Sequence, residues 1–184
     1  PVHGGGAYVI VDCADHTDPS DALSSALAGA PEVLDAAVTT EGPAREALLQ
    51  FRDRITEAIN AEGVPYKLDV AVPIHRLREI VEVARTAGAR HGRDARLIPF
   101  GHLAEGNVHL NVLGDVDTRA LADDVLTAVA SMGGTISAEH GVGVAKTDWL
   151  GLVRSPAERQ LMAAVKRALD PAGILNPGVL VQVP

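Results

Sequence analysis

Arg96-Leu97-Ile98-Pro99-Phe100-Gly101-His102-Leu103-Ala104-Glu105-Gly106-Asn107-Val108-His109-Leu110-Asn111-Val112-Leu113 reads as two strands around a glycine-containing turn. Val108, Leu110 and Val112 fall on one face of the second strand, and His109 and Asn111 fall on the other. The aliphatic face requires a core beneath it, and the polar face points away from that core. Folding the turn at Gly106 back brings His102, seven residues before His109, towards the same polar face.

Working towards the start of the chain, residues 66–72 alternate, with Tyr66, Leu68, Val70 and Val72 on one face and Lys67, Asp69 and Ala71 on the other. A helix is predicted over 75–87, carried by Leu77, Ile80, Val81 and Ala84 and stopped by Gly88. Helical spacing of Leu48, Phe51, Ile55 and Ile59 predicts another over 42–61 with a core stripe, ended by Gly63. Apolar runs predict strands at 8–13 and 33–39, with a helix at 20–28 between them. Towards the other end, 117–132 reads as a helix ended by Gly133-Gly134, 135–138 as a short strand, and 156–169 as a helix stopped by Asp170-Pro171. This order implies an α+β fold, a mainly antiparallel sheet with helices packed on one face and ferredoxin-like elements. No linker divides it, so 1–184 is expected to be a single domain.

Length and a 47% hydrophobic content suit an ordinary globular domain. The net charge of −8, with no lysine-arginine cluster, argues against nucleic acid and anionic membrane surfaces as partners. No apolar run reaches the roughly 18 residues of a transmembrane helix, no basic-then-apolar leader opens the chain, and a cytoplasmic location is expected. Cys13, the one cysteine, sits in the apolar run 8–13 and reads as a buried structural thiol. The start at Pro1, followed by His3 and three glycines, suggests a processed product or an excised domain.

Chemistry concentrates in two glycine-bounded stretches. One carries His102, His109 and Asn111; the other is Ser137-Ala138-Glu139-His140-Gly141, where a turn lets Glu139 and His140 serve one cavity. Two imidazoles and a carboxylate are a typical donor set for a catalytic divalent ion that keeps positions open. The same residues near turns are commonly solvated or bonded to backbone, and spacing alone leaves both readings open. Arg52 and Thr56, four apart on the 42–61 helix, and Lys67, on the polar face of the next strand, can together hold a carboxylate or be solvated surface groups. Asn176 in Asn176-Pro177-Gly178 suits a turn.

Three motifs stand in order along the chain: Gly-His-x-x-x-Gly-Asn-x-His-x-Asn at 101–111, Gly-Gly-Thr-Ile-Ser-x-Glu-His-Gly-x-Gly at 133–143, and Asp-Pro-x-Gly-Ile-Leu-Asn-Pro-Gly at 170–178. They resemble the C-terminal domain of FAD-linked 2-hydroxyacid dehydrogenases, a family that includes D-lactate dehydrogenase, the glycolate oxidase flavoprotein subunit and D-2-hydroxyglutarate dehydrogenase. The resemblance implies zinc, or another divalent ion, held by His102, His109 and Glu139. It also implies Asn111 as a substrate contact, His140 as the base taking the hydroxyl proton, and hydride transfer to flavin. Arg52, Thr56 and Lys67 resemble the set that grips a distal carboxylate, which points to a dicarboxylic 2-hydroxy acid. Asn176, in a tail over 170–184 that returns to the flavin domain, is implied to approach the isoalloxazine.

Two departures stand out: Ala104-Glu105 where the family commonly has Gly-Asp, and Val179 where it has a lysine. Neither removes an implied ligand, although the first alters the turn between His102 and His109. The sequence has no Gly-x-Gly-x-x-Gly, so FAD is expected to be bound mainly by a separate N-terminal domain, without which this chain is inactive. Further implied partners are a small 2-hydroxy acid, a second copy in a homodimer, and an electron acceptor: electron-transfer flavoprotein, quinone or oxygen. The competing readings are a stand-alone metal hydrolase using the same three ligands and a non-catalytic metal-binding module.

Overall fold

A computed structural model describes residues 6–181; residues 1–5 of the opening, with His3, and the last three of the 170–184 tail lie outside it. The chain divides into two compact units, Pro1–Glu62 and Gly63–Pro184. The first unit is helical: α1 (Ser20–Ala28), α2 (Gly42–Asp53) and α3 (Ile55–Glu62). The strands expected at 8–13 and 33–39 do not form. Their side chains are largely exposed, Leu34 at 75%, and Cys13 is exposed rather than a buried thiol. Apolar, β-branched composition makes a segment compatible with a strand but does not supply the neighbouring strand that completes a ladder. The helix expected over 42–61 breaks at Arg54, which has φ −94° and ψ 0°. Its stripe is only partly covered: Ile59 is buried and Phe51 is 56% exposed.

The second unit holds the sheet. β1 (Tyr66–Ala71), β2 (Gly92–Phe100) and β3 (Asn107–Val116) lie in the order β1-β3-β2, with β3 antiparallel to both neighbours. β1 and β2 are therefore parallel and joined across β3 by α4 (Leu77–His91), a split β-α-β arrangement. α5 (Thr118–Ser131) follows β3, its first turn capped by the Asp117 carboxylate accepting the Arg119 and Ala120 N–H groups. A short α6 (Leu150–Val153) precedes α7 (Pro156–Leu169), which opens on a reciprocal Ser155/Glu158 capping box.

The alternation that predicts β3 is realised. Val108, Leu110 and Val112, with Leu68 and Val70 of β1, pack on Ile80 and Ala84 of α4 and on Leu121, Val125 and Leu126 of α5. Each fully buried aliphatic contributes about 1.5–3 kcal/mol of transfer free energy, so this layer is the principal source of the unit's stability. α4 does not stop at Gly88. That residue is buried in the helix, where a side chain would meet Ala95 Cβ at 3.6 Å, and the helix ends only where Gly92 turns extended. The strand expected over 135–138 reduces to one antiparallel bridge between Thr135 and Ala71. Gly134 permits it: an added Cβ would lie 2.4 Å from Ala71 O.

Candidate functional site

The face of β3 turned away from the helices carries Asn107, His109 and Asn111, and pairing sets Asp69 of β1 beside His109 on one side and Phe100 of β2 on the other. The Phe100 and His109 rings are 4.9 Å apart, and only 16% of the His109 side chain is exposed. His102 enters from the β2–β3 connection, whose turn residues 103–105 end at Gly106 with φ +67°. A Cβ at Gly106 would sit 2.0 Å from Val72 O, so both conformation and space demand glycine there. Ala104 and Glu105 occupy the turn, and the His102 ring lies edge-on to His109 at 6.3 Å.

Glu139 and His140 arrive on the segment that follows the Thr135–Ala71 bridge. Glu139 Oε1 lies 2.9 Å from His102 Nδ1 and 3.9 Å from His109 Nε2, and it accepts a 2.6 Å hydrogen bond from Asn107 Nδ2. One donor atom from each of His102, His109 and Glu139 falls within 4.8 Å of the others. The structure thus brings together the three residues singled out as ligands. A second set with the same closeness is Asp69, His109 and His140, and the His140 ring stands 5.9 Å from that of His109. His109 is half-buried; His102, Glu139 and His140 are open to solvent.

Three residues that sequence reading passed over complete the site. Asp69 is 6% exposed, and its Oδ2 accepts the main-chain N–H groups of Glu139 (2.8 Å) and His140 (3.2 Å). Its Oδ1, 3.2 Å from His109 Nδ1, is buried without an aligned hydrogen bond. Lys146 Nζ donates to Asp69 O (2.7 Å) and Ile136 O (2.6 Å), tying β1 to the segment bearing Glu139. Burial pushes the Lys146 ammonium below its ordinary pKa, opposed by the charge of Asp69. Asn107 sat in the same alternation as His109, and Asp69 on the polar face of 66–72; what sequence lacked was the register joining them. For Lys146 there was no signal.

Of the other expected site residues, Asn111 shares the His109 face of β3 and is buried, its Nδ2 donating to Ile98 O and His109 O. Arg52 and Thr56 lie in the first unit, on α2 and α3, and Arg52 pairs with the adjacent Asp53 at 2.8 Å. Lys67 lies in the second unit, exposed on β1 two residues before Asp69. Asn176 has φ +43° in an exposed turn, consistent with its place in Asn-Pro-Gly. That turn is held by Asp170, whose carboxylate accepts the N–H groups of Ile174 (3.1 Å) and Leu175 (2.9 Å). Among the described residues no helix is long and apolar enough to cross a membrane.

The sequence model of the FAD linked oxidases, C-terminal domain, matches residues 5–180. The chain belongs to this family. Relatives include mitochondrial D-2-hydroxyglutarate dehydrogenase of Bos taurus, 37% identical over 96% of the chain and 34% of the relative. D-2-hydroxyglutarate dehydrogenase of Stutzerimonas stutzeri is 36% identical over 79% of the chain and 33% of the relative. An uncharacterised FAD-linked oxidoreductase of Mycobacterium tuberculosis is 35% identical over 80% and 32%. The chain therefore spans about a third of the length of these curated relatives. For an FAD-linked oxidase domain, two imidazoles and a carboxylate converging at an open rim, over a buried carboxylate oxygen lacking a donor, are a donor set that fits a divalent cation.

Proposed function

We propose that this chain is the substrate- and metal-binding portion of an FAD-dependent dehydrogenase that oxidises a D-2-hydroxy acid to the 2-oxo acid. The observation that carries the reading is the convergence of His102, His109 and Glu139 with His140 beside them, in a chain of the FAD-linked oxidase family. Family membership favours oxidoreduction over hydrolysis by the same three ligands.

His102, His109 and Glu139 would hold zinc or another divalent ion, and a separate domain would hold most of the FAD. When bound, the cation supplies Lewis acidity toward the hydroxyl and carboxylate oxygens, and the flavin supplies the acceptor for the α-hydride. His140, outside the ligand set and exposed, takes the hydroxyl proton. Loss of that proton and of the hydride, two electrons in all, leaves a C=O at C2. Asn111 orients substrate beside His109, and Asn176 approaches the flavin ring. In the first unit Arg52 and Thr56 offer a planar guanidinium fork and a hydroxyl suited to a substrate carboxylate. A D-2-hydroxyglutarate-like substrate is favoured over lactate or glycolate by the names of the relatives and by the Arg52 guanidinium.

The test uses the full-length flavoenzyme. His140→Ala is expected to lower kcat for D-2-hydroxy acid oxidation by about 10²–10⁴-fold, the usual worth of a general base, with zinc and flavin content unchanged. Turnover by that variant at the wild-type rate would overturn the proton-transfer role, and full activity in a metal-stripped enzyme would overturn the metal assignment. Arg52→Ala is expected to raise KM for the dicarboxylate while sparing D-lactate; equal effects on both would remove the specificity argument.

A further inference from the structure

We infer that Asp69 is the positioning carboxylate of this site. It fixes the proton of His109 on Nδ1, so that Nε2 is the metal-binding atom, and it sets the backbone from which Glu139 and His140 project. The inference rests on the reading of His109 as a ligand.

The argument begins with an oxygen. Asp69 Oδ1 is buried and has no aligned donor, and a buried carboxylate oxygen left unsatisfied is destabilising. His109 Nδ1 lies 3.2 Å away, held there by the β1–β3 register that pairs the two residues and by the Phe100 ring over the imidazole. A neutral imidazole carries one N–H. With it on Nδ1, facing Asp69, the lone pair falls on Nε2, the atom facing Glu139 Oε1 at 3.9 Å and the ligand set containing His102. With it on Nε2, two lone-pair acceptors face each other in a buried place and the metal-facing atom has no free pair.

The other oxygen does separate work. Oδ2 accepts the consecutive N–H groups of Glu139 and His140, so one carboxylate fixes the main chain of a proposed ligand and of the proposed base. Lys146, donating to the Asp69 and Ile136 carbonyls, secures both ends of that arrangement. Direct ligation by Asp69 would require Oδ1 to leave His109, whereas the positioning role keeps Oδ2 where it stands and asks of Oδ1 only alignment with His109 Nδ1, 3.2 Å away. Groups that orient a metal-bound histidine typically change affinity 10–100-fold when replaced.

The experiment is zinc affinity of the full-length enzyme, measured against a competing chelator, in wild type, Asp69→Asn, Glu105→Gln and His102→Ala. In Asp69→Asn the amide oxygen still accepts the two main-chain N–H groups, but the NH2 now faces His109 Nδ1 and draws the imidazole proton to Nε2. The expected result is 10–100-fold weaker zinc binding with the melting temperature of the metal-free protein nearly unchanged, while exposed Glu105→Gln binds as wild type. The cobalt-substituted protein should keep its visible absorption pattern in Asp69→Asn; a changed pattern would mean a lost ligand and overturn the positioning role. Wild-type affinity in Asp69→Asn, with loss in His102→Ala, would overturn it too. Wild-type affinity in both would instead remove the metal reading itself. Should Asp69→Asn not fold, wild-type protein carrying 15N-labelled histidine decides: a proton on His109 Nδ1 upholds the inference and one on Nε2 overturns it.

Discussion

The two faces of β3 are built from adjacent residues and do opposite work. Val108, Leu110 and Val112 disappear into the layer between sheet and helices, touching α4 and α5. Asn107, His109 and Asn111, one residue out of step, bring polar side chains to the opposite face, where Asn107 and Asn111 are buried. Burial on the first face is favourable by itself. On the second its cost is offset by polar contacts, Glu139 for Asn107 Nδ2 and main-chain carbonyls for Asn111 Nδ2, with Asp69 Oδ1 3.2 Å from His109 Nδ1; Asp69 Oδ1 and Asn107 Oδ1 themselves have no aligned donor. One strand thus supplies both stability and a site, and a one-residue slip would exchange them.

The largest effect that separates the faces is expected from Leu110→Ala. Its side chain is wholly buried, so truncation should cost about 2–5 kcal/mol, read as a fall in melting temperature or denaturation midpoint. Zinc affinity of the folded fraction should stay within about twofold. A collapse of affinity alongside stability would show that the faces are coupled through the strand.

The converse is His102→Ala, which removes a half-exposed ring from the rim and should scarcely move the melting temperature of the metal-free protein. Metal affinity should fall by more than about 100-fold, beyond the range for residues that only orient a ligand. Gly106→Ala comes next and is expected to damage both properties. Its positive φ and the 2.0 Å approach to Val72 O predict about 2 kcal/mol of destabilisation, and the shifted turn should misplace His102. Stability loss without any change in zinc binding would mean that the turn does not set the position of the ring.

How much of this was legible beforehand follows the same division. Period-two alternation in 107–113 identified the core face and placed His109 and Asn111 opposite it, because alternation is a local property of an extended chain. The helices α1 and α7 were bounded correctly by sequence; for α7, Pro156 at the start and Asp170-Pro171 at the end are local signals too. Residues 8–13 and 33–39 misled because a β-branched run looks the same with or without a neighbouring strand. Gly88 misled because a glycine buried against Ala95 serves close packing as well as it would serve a helix stop. Asp69 stood on the polar face of its strand in plain view, but only the pairing of β1 with β3 makes it the neighbour of His109. The residues grouped by motif were therefore readable, and the carboxylate beside them was not.

The smallest predicted effect concerns Asp170, which sits in a motif as specific as those bearing His102, His109 and Glu139 yet belongs with the stabilising face. Its side chain is buried, and the Lys166 ammonium, followed by the Leu175 N–H, holds its carboxyl below the ordinary value of 3.8. A carboxyl whose folded pKa lies below its unfolded one contributes stability that is fully present above the unfolded value and is lost as pH falls through the folded one. Wild type should therefore lose melting temperature below about pH 4 more steeply than Asp170→Asn, which starts lower at neutral pH, so that the two curves converge in acid. Zinc affinity at pH 7 should be the same in both. Parallel curves would mean that the turn over 170–178 does not depend on that charge, whereas a change in zinc affinity would move Asp170 from the stabilising side of the comparison to the chemical one.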